Sequence, residues 1–496
     1  MKKYYLLSCL AGCLSAFAFA PYSQIWLLLF VFCAFFCVFE KAQNKRQLFM
    51  TGFSFGFGQG AFSMFWLTNA LLIDPQSFGM LVPLVPLGFG LFFALFYAFP
   101  AMLCSAVKNI SGRVLLFAGL FTIFEWIRSW FFTGFPWNLI GSVWTAYLPI
   151  LQTASVIGVY GLTLFSLIWF CIPFLIYKKQ YPLAVFSTLS FILMMGFGML
   201  RLYEIKPEYV WGVQLRLVQP NIQQTLKWDE NEAEENFMKH IRLSKSAGNE
   251  KITHILWSET AIPYLLDVED EARAMTMMAL NQDATLITGA MRLADREKKQ
   301  LANSIFVLND LGQIISFYDK SHLVPFGEYV PLRGILPIDK IVPIPSDLKE
   351  GNGVQTVRIP NAPPAGMLVC YEIIFPSKVV DKKYRPSWLI NATNDGWYGI
   401  SAGPYQHLAS AQMRAVEEGL PVIRVAGTGI SAVIYPWGEI MDSLPLNTSG
   451  VLDAKLPKSL PYIPPYARMG NVIPLFLCVM FIFFGIISNK KEKSID

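Results

Sequence analysis

Eight stretches of this 496-residue chain are apolar for about as long as a bilayer core is thick. They cover residues 4–20, 23–40, 49–73, 79–106, 113–131, 150–177, 180–201 and 472–489. A membrane-crossing helix needs roughly 17–25 such residues, so the pattern predicts a membrane α-helical bundle of eight transmembrane helices. Composition agrees. Hydrophobic residues make up 54% of the chain and charged residues 15%, against about 25% charged in an ordinary soluble domain. The net charge of +5 comes without a long Lys/Arg run, so no nucleic-acid partner is expected.

Cytoplasmic loops are enriched in Lys and Arg. One alternate set of loops and ends holds Lys2, Lys3, Lys41, Lys45, Arg46, Lys108, Arg113, Lys178, Lys179, Lys490, Lys491 and Lys493. The short loops of the other set, near 21–22, 74–78 and 128–149, hold only Arg128. Both termini are therefore expected in the cytoplasm and the long segment after the seventh span in the periplasm of a bacterial inner membrane. The opening "MKKYYLLSCLAGC" imitates a lipoprotein leader. More apolar sequence follows it directly, so it is read as the first span.

The expected division is 1–202 for seven spans, 203–470 for a periplasmic domain, and 471–496 for the eighth span and tail. Within 203–470, charged residues become frequent and strand-like runs alternate with helical ones. "VWGVQLRLVQPNI" alternates as a half-buried strand does, and "WDENEAEENFMKHIRL" is acid-rich at its start like a helix. "NSIFVLNDLGQIISFYDK" is a hairpin turning at Asn309–Gly312, "EIIFPSKVV" starts a helix, and "QHLASAQMRAVEEG" is a helix closed by Gly419. An α/β core follows.

Seven of the eight cysteines fall in the predicted spans, where they act as small apolar residues; Cys370 alone lies in the soluble segment. In an oxidising compartment a structural cysteine is expected to have a partner. Cys370 is thus either a buried spacer or a working nucleophile. Chemistry in α/β sheets gathers at the carboxyl ends of strands, and Glu259, Lys320 and Cys370 each follow a strand-like run. A thiol is mostly protonated at neutral pH, so a carboxylate can take its proton. An ammonium can hold the thiolate and then the oxyanion. The backbone N–H of Tyr371 offers a second donor.

The motifs "QPNIQQTLKWDE", "WSETAIP", "YDKSHLVPFGEYVP", "LVCYEIIFP" and "NATNDGWYG" resemble the nitrilase (carbon–nitrogen hydrolase) superfamily over about 210–455. With "EWIRSWFFTGFPWN" in the apolar half, the whole chain resembles the bacterial apolipoprotein N-acyltransferase family. The resemblance implies an αββα sandwich with Glu259 as general base, Lys320 as oxyanion-stabilising cation and Cys370 as nucleophile. Glu328, Tyr371 and Glu372 would support them, and Trp228 and Arg128 would lie on the substrate side. The implied donor is a phospholipid, phosphatidylethanolamine, and the acceptor a diacylglyceryl apolipoprotein, with a monomeric enzyme and no metal or other cofactor. Two apolar stretches, 129–144 and 329–348, are candidates to complete the site, the second as a mobile lid or as core. Gly52, Gly56 and Gly60 are read as a helix-packing ridge.

Rival readings are a membrane-tethered amidase, a transporter or receptor with a periplasmic domain, and a Cys–His site using His322 or His407. Eight spans exceed what an amidase of soluble substrates needs. A transporter would carry more ionisable residues within its spans.

Overall fold

The computed structural model describes residues 1–331, 340–341 and 346–492. Residues 332–339 and 342–345, which carry most of the expected lid, lie outside the described residues. The chain divides into two compact units. One comprises 1–68, 74–205 and 463–496, and the other 69–73 and 206–462.

The first unit is helical. Among the described residues four helices are long and apolar enough to cross a membrane: Leu84–Ala106, Ile110–Arg128, Ala154–Tyr177 and Tyr181–Glu204. A shorter apolar helix covers Val472–Ser488. The other predicted spans are helical but less clear-cut. Lys2–Ser15 has 14 residues and Leu27–Lys41 has 15, below the usual span. Lys45–Ser63 has 19 residues, but polar Lys45, Arg46, Gln47 and Gln59 dilute its hydropathy. Asn44 caps this helix by accepting from the Gln47 N–H.

The Gly52, Gly56 and Gly60 ridge lets two backbones nearly touch. A Cβ on Gly52 would sit 2.4 Å from the Tyr97 carbonyl oxygen, and one on Gly60 2.4 Å from that of Phe89. The ridge is structural, as its spacing implies.

The second unit contains strands β1 (Tyr209–Gln219), β2 (His254–Trp257), β3 (Thr285–Asp295), β4 (Gln300–Leu308), β5 (Ile314–Asp319), β6 (Thr356–Val357), β7 (Ala365–Val369), β8 (Trp388–Thr393), β9 (Val422–Ala426), β10 (Ser431–Ile434), β11 (Ile440–Leu444) and β12 (Gly450–Pro457). They form two six-stranded sheets, ordered β12-β1-β2-β3-β4-β5 and β11-β10-β9-β8-β7-β6. Each has a parallel centre, β1-β2-β3 in one and β7-β8-β9 in the other. Antiparallel strands flank both centres.

The sheets share one core. Val213, Leu215, Leu217 and Leu256 of the first pack with Met367, Val369, Ile390 and Ile423 of the second. Helix Ala233–Ser244 covers the outer face of the first sheet through Phe237 and Ile241, against Val218, Ile255 and Trp257. Helix Gly403–Glu418 packs on the outside of the second sheet, against β9 and β10, and ends at Gly419 with φ 64°. Strand β1 lies between β12 and β2, half-buried or exposed over 209–212 and buried almost throughout its second half. Its Arg216 is fully buried, paired with Asp453 and donating to the carbonyls of Ser244, Ser246 and Ala247.

The β4–β5 hairpin turns where the sequence places it, with Gly312 at φ 70°. The helix expected at "EIIFPSKVV" is only a 3-10 turn over Cys370–Ile374. Pro376 lacks an N–H and restrains the residue before it.

Candidate active site

Glu259 lies two residues beyond β2, Lys320 directly after β5, and Cys370 directly after β7. Two come from one sheet and the third from the other, and all three are almost completely buried. The Lys320 ammonium lies 2.9 Å from the Glu328 carboxylate and 3.5 Å from Glu259 Oε1. Asn303, on the neighbouring strand β4, joins the two acids. Its Nδ2 donates to Glu259 Oε1 at 2.8 Å and to Glu328 Oε1 at 3.1 Å. Its backbone carbonyl also accepts from the Lys320 N–H at 2.8 Å.

Burial opposes the charge on Lys320, but Glu328 and Glu259 outweigh it and hold the ammonium protonated well above its usual range. Burial pushes the Cys370 thiol up to about 12; Glu259 adds to this, and Lys320 works against it. The resting nucleophile is therefore a thiol, and attack requires proton removal at the same moment. Thr393 and Tyr398 hydrogen-bond to that thiol.

Backbone strain marks both reacting ends. Cys370 has φ 49° and Thr260, directly after Glu259, has φ 46°. Left-handed backbone is uncommon in non-glycine residues and costly for a β-branched one. At Cys370 the strain is held by donors on its carbonyl, His407 Nε2 at 3.0 Å and Asn391 Nδ2 at 3.2 Å. Behind them, Asp395 bonds His407 Nδ1 at 2.9 Å and Arg424 at 2.6 Å. Both His407 nitrogens are thus engaged away from the sulfur, which removes the basis for a Cys370–His407 base pair.

Glu372 works as a clamp. Its Oε1 accepts from the Tyr318 hydroxyl at 2.8 Å, the Ser321 N–H and hydroxyl at 2.8 Å and the His322 N–H at 3.0 Å. Its Oε2 accepts from the Val369 N–H at 2.7 Å. One carboxylate thereby ties the segment after Lys320 to the strand end before Cys370. Tyr371 packs edge-on against Phe375, and His322 lies tilted at 43° against the same ring, 4.0 Å between centroids.

Trp228 is partly buried in the turn before helix Ala233–Ser244. Arg128 belongs to the helical unit, where it folds back the 129–139 loop. It donates to the carbonyls of Phe135 and Trp137 at 3.1 and 2.8 Å, and its guanidinium lies 4.3 Å above Phe93.

Asn303, Thr393, Asp395, Tyr398 and Arg424 were not singled out from the sequence, and His407 was named only as an alternative base. "NATNDGWYG" contained three of them as part of a motif, but nothing local in it signals the Cys370 carbonyl. Asn303 opens the run read as a hairpin.

Such a domain, two facing sheets with Glu, Lys and Cys converging at strand ends, is a carbon–nitrogen hydrolase domain. The sequence profile described as Carbon-nitrogen hydrolase matches residues 214–460, and that described as Apolipoprotein N-acyltransferase N-terminal domain matches 11–172. The apolipoprotein N-acyltransferase of Rhodopseudomonas palustris is 35% identical, over 98% of this chain and 95% of that one. Those of Brucella melitensis and Rickettsia typhi are 39% and 35% identical, covering 86% and 97% of this chain and 83% and 97% of theirs. The chain belongs to the apolipoprotein N-acyltransferase family. Among solved structures, a nitrilase-superfamily amidase from Nesterenkonia is similar with TM-score 0.38 and 16% identity, over 50% of this chain and 93% of that one.

Proposed function

We propose that Glu259, Lys320 and Cys370 run a two-step acyl transfer from a phospholipid to the N-terminal amino group of an apolipoprotein. The chain is an acyltransferase by family, acting on lipid and lipoprotein at a membrane. Cys370 Sγ attacks the sn-1 ester carbonyl of the phospholipid, phosphatidylethanolamine, as Glu259 takes the thiol proton. Lys320 stabilises the oxyanion, the ester C–O bond breaks, and Glu259 returns the proton to the leaving glycerol oxygen. A lysophospholipid departs and a thioester remains. The α-amino nitrogen of the diacylglyceryl-cysteine then attacks that thioester. Glu259 takes an N–H proton, the C–S bond breaks, and the proton returns to sulfur.

The observation that carries this reading is the convergence on one buried thiol of a carboxylate and an ammonium, both held by Asn303 and Glu328. Glu328, Tyr371 and Glu372 support the three. Trp228 belongs to the substrate side, as does Arg128 through the aromatic loop that it organises. The loop-charge asymmetry supports eight spans, cytoplasmic termini and a periplasmic 203–470 domain in a bacterial inner membrane, with 1–202 and 471–496 as the membrane parts. The enzyme works as a monomer without cofactor.

Intact mass after incubation with phosphatidylethanolamine tests this. A fatty-acyl adduct is expected, absent in Cys370→Ala and discharged by a diacylated lipopeptide. No adduct under turnover conditions would refute the reading.

A further inference from the structure

Two carboxylates, Glu259 and Glu328, surround the single ammonium of Lys320. When Cys370 acts as nucleophile its proton passes to Glu259, so two negative charges still face one cation as the thiolate and then the oxyanion form. One cation for that much negative charge is a poor balance at low dielectric, and the surroundings contain a second. Lys227, in the turn before helix Ala233–Ser244, donates its Nζ to the Glu259 backbone carbonyl at 2.8 Å.

That carbonyl belongs to the peptide joining Glu259 to Thr260, whose left-handed φ of 46° sets the direction of the turn. The other side of the turn is fixed by close approach. A Cβ on Gly289 would meet the Thr260 nitrogen at 2.5 Å and the Glu259 Cα at 2.7 Å. The turn is thus held between a backbone wall and a lysine.

Lys227 faces a small cavity of about 20 Å³, shared with Asn236, His240, Ser258, Thr260 and Asn394. That is room for one water. His240 Nδ1 bonds the Asn236 carbonyl at 2.8 Å, which fixes its proton there and leaves Nε2 as an acceptor. Among the described residues Nε2 finds no hydrogen-bond partner. The ammonium therefore has one protein carbonyl and a cavity with an acceptor on its wall.

We propose that Lys227 is a positioning residue for the acyl transfer: it holds the Glu259 turn so that the carboxylate reaches the thiol, and it supplies the second positive charge the site requires. This rests on the assignment of Glu259 and Cys370 as base and nucleophile. The titratable groups facing Lys227 are Glu259, Cys370 and His240. Burial pulls Lys227 down to about 8, against the pull of Glu259 and Cys370. The cation is present below that pH and lost above it.

The test uses full-length protein with phosphatidylethanolamine vesicles, comparing Lys227→Met and Lys227→Arg. Acyl-enzyme formation in Lys227→Met is expected to fall about 10- to 100-fold in kcat, the range that one unit charge several ångströms away commands at protein dielectric. KM for the phospholipid should stay unchanged. Lys227→Arg should recover most of the rate and lack the decline expected of the wild type above about pH 8. Cys370 alkylation by iodoacetamide, which needs no lipid, should slow in Lys227→Met below about pH 8 and converge with the wild type above it. Wild-type kcat and pH profile in Lys227→Met would overturn the proposal. So would equal loss in Met and Arg variants with alkylation unchanged, since that means shape alone. If the wild type forms no acyl-enzyme, the reaction assignment fails, while the alkylation comparison still decides whether Lys227 supplies charge to the thiol.

Discussion

Replacing Glu372 with Gln keeps the shape of the side chain and removes half of its function. The native carboxylate accepts four hydrogen bonds on one oxygen and one on the other. An amide has one accepting oxygen. With that oxygen facing the Tyr318–Ser321–His322 donors, the NH₂ group points at the Val369 N–H. That bond becomes a donor–donor contact and leaves a buried N–H unsatisfied, at about 1–3 kcal/mol. The remaining bonds lose their charge assistance, so the total comes to about 3–4 kcal/mol.

The penalty is local, because Glu372 joins only the 318–322 stretch to the end of β7. Native-state hydrogen exchange of the full chain reads it directly. The amides of Ser321, His322 and Val369 should exchange about two to three orders of magnitude faster, at about 1.36 kcal/mol per tenfold. Amides in the centre of β8 should not change. Acyl-enzyme formation should fall with them, because Lys320 and Cys370 lose their common anchor. Unchanged exchange at the three amides would refute the clamp. Faster exchange with a wild-type rate would refute its role in catalysis.

Three further outcomes follow from the same geometry. With the Cys370 thiol held at about 12 by burial and by Glu259, alkylation by iodoacetamide should climb about tenfold per pH unit up to about pH 8 and less steeply where Lys227 loses its charge, without a plateau near the free-thiol value. Glu259→Gln removes the like charge and should quicken alkylation at a given pH while abolishing acyl transfer; slower alkylation in that variant would contradict the electrostatic account. Gly289→Ala should displace the Glu259 turn, since its Cβ would lie within 2.5–2.7 Å of the backbone at 258–260. A folded protein with wild-type acyl transfer would show that the turn yields without moving the carboxylate.

Much of this was legible in the chain itself. Hydropathy divided an apolar part from an α/β part because burial in lipid and burial in a folded core demand different run lengths. Lone Cys370 stood out by its isolation in the polar segment, and Glu259 and Lys320 by ending strand-like runs. Glu372 was legible only as a neighbour of the nucleophile. Its reach to Ser321 and His322 crosses fifty positions of sequence, and no local pattern encodes such a contact.

The sequence by itself determined the kinds of element, the location of the strand ends and which residue types stand there. Those depend on short-range periodicity, turn chemistry and composition, which act within a few residues. Only the tertiary structure decided that Asn303 binds both carboxylates, that His407 and Asn391 hold the Cys370 carbonyl, and that Lys227 grips the Glu259 turn. Each of these is a contact between separate strands or turns, made because two sheets share one core. In that dry space a polar group without a partner is costly, and the fold has to bring distant partners to it.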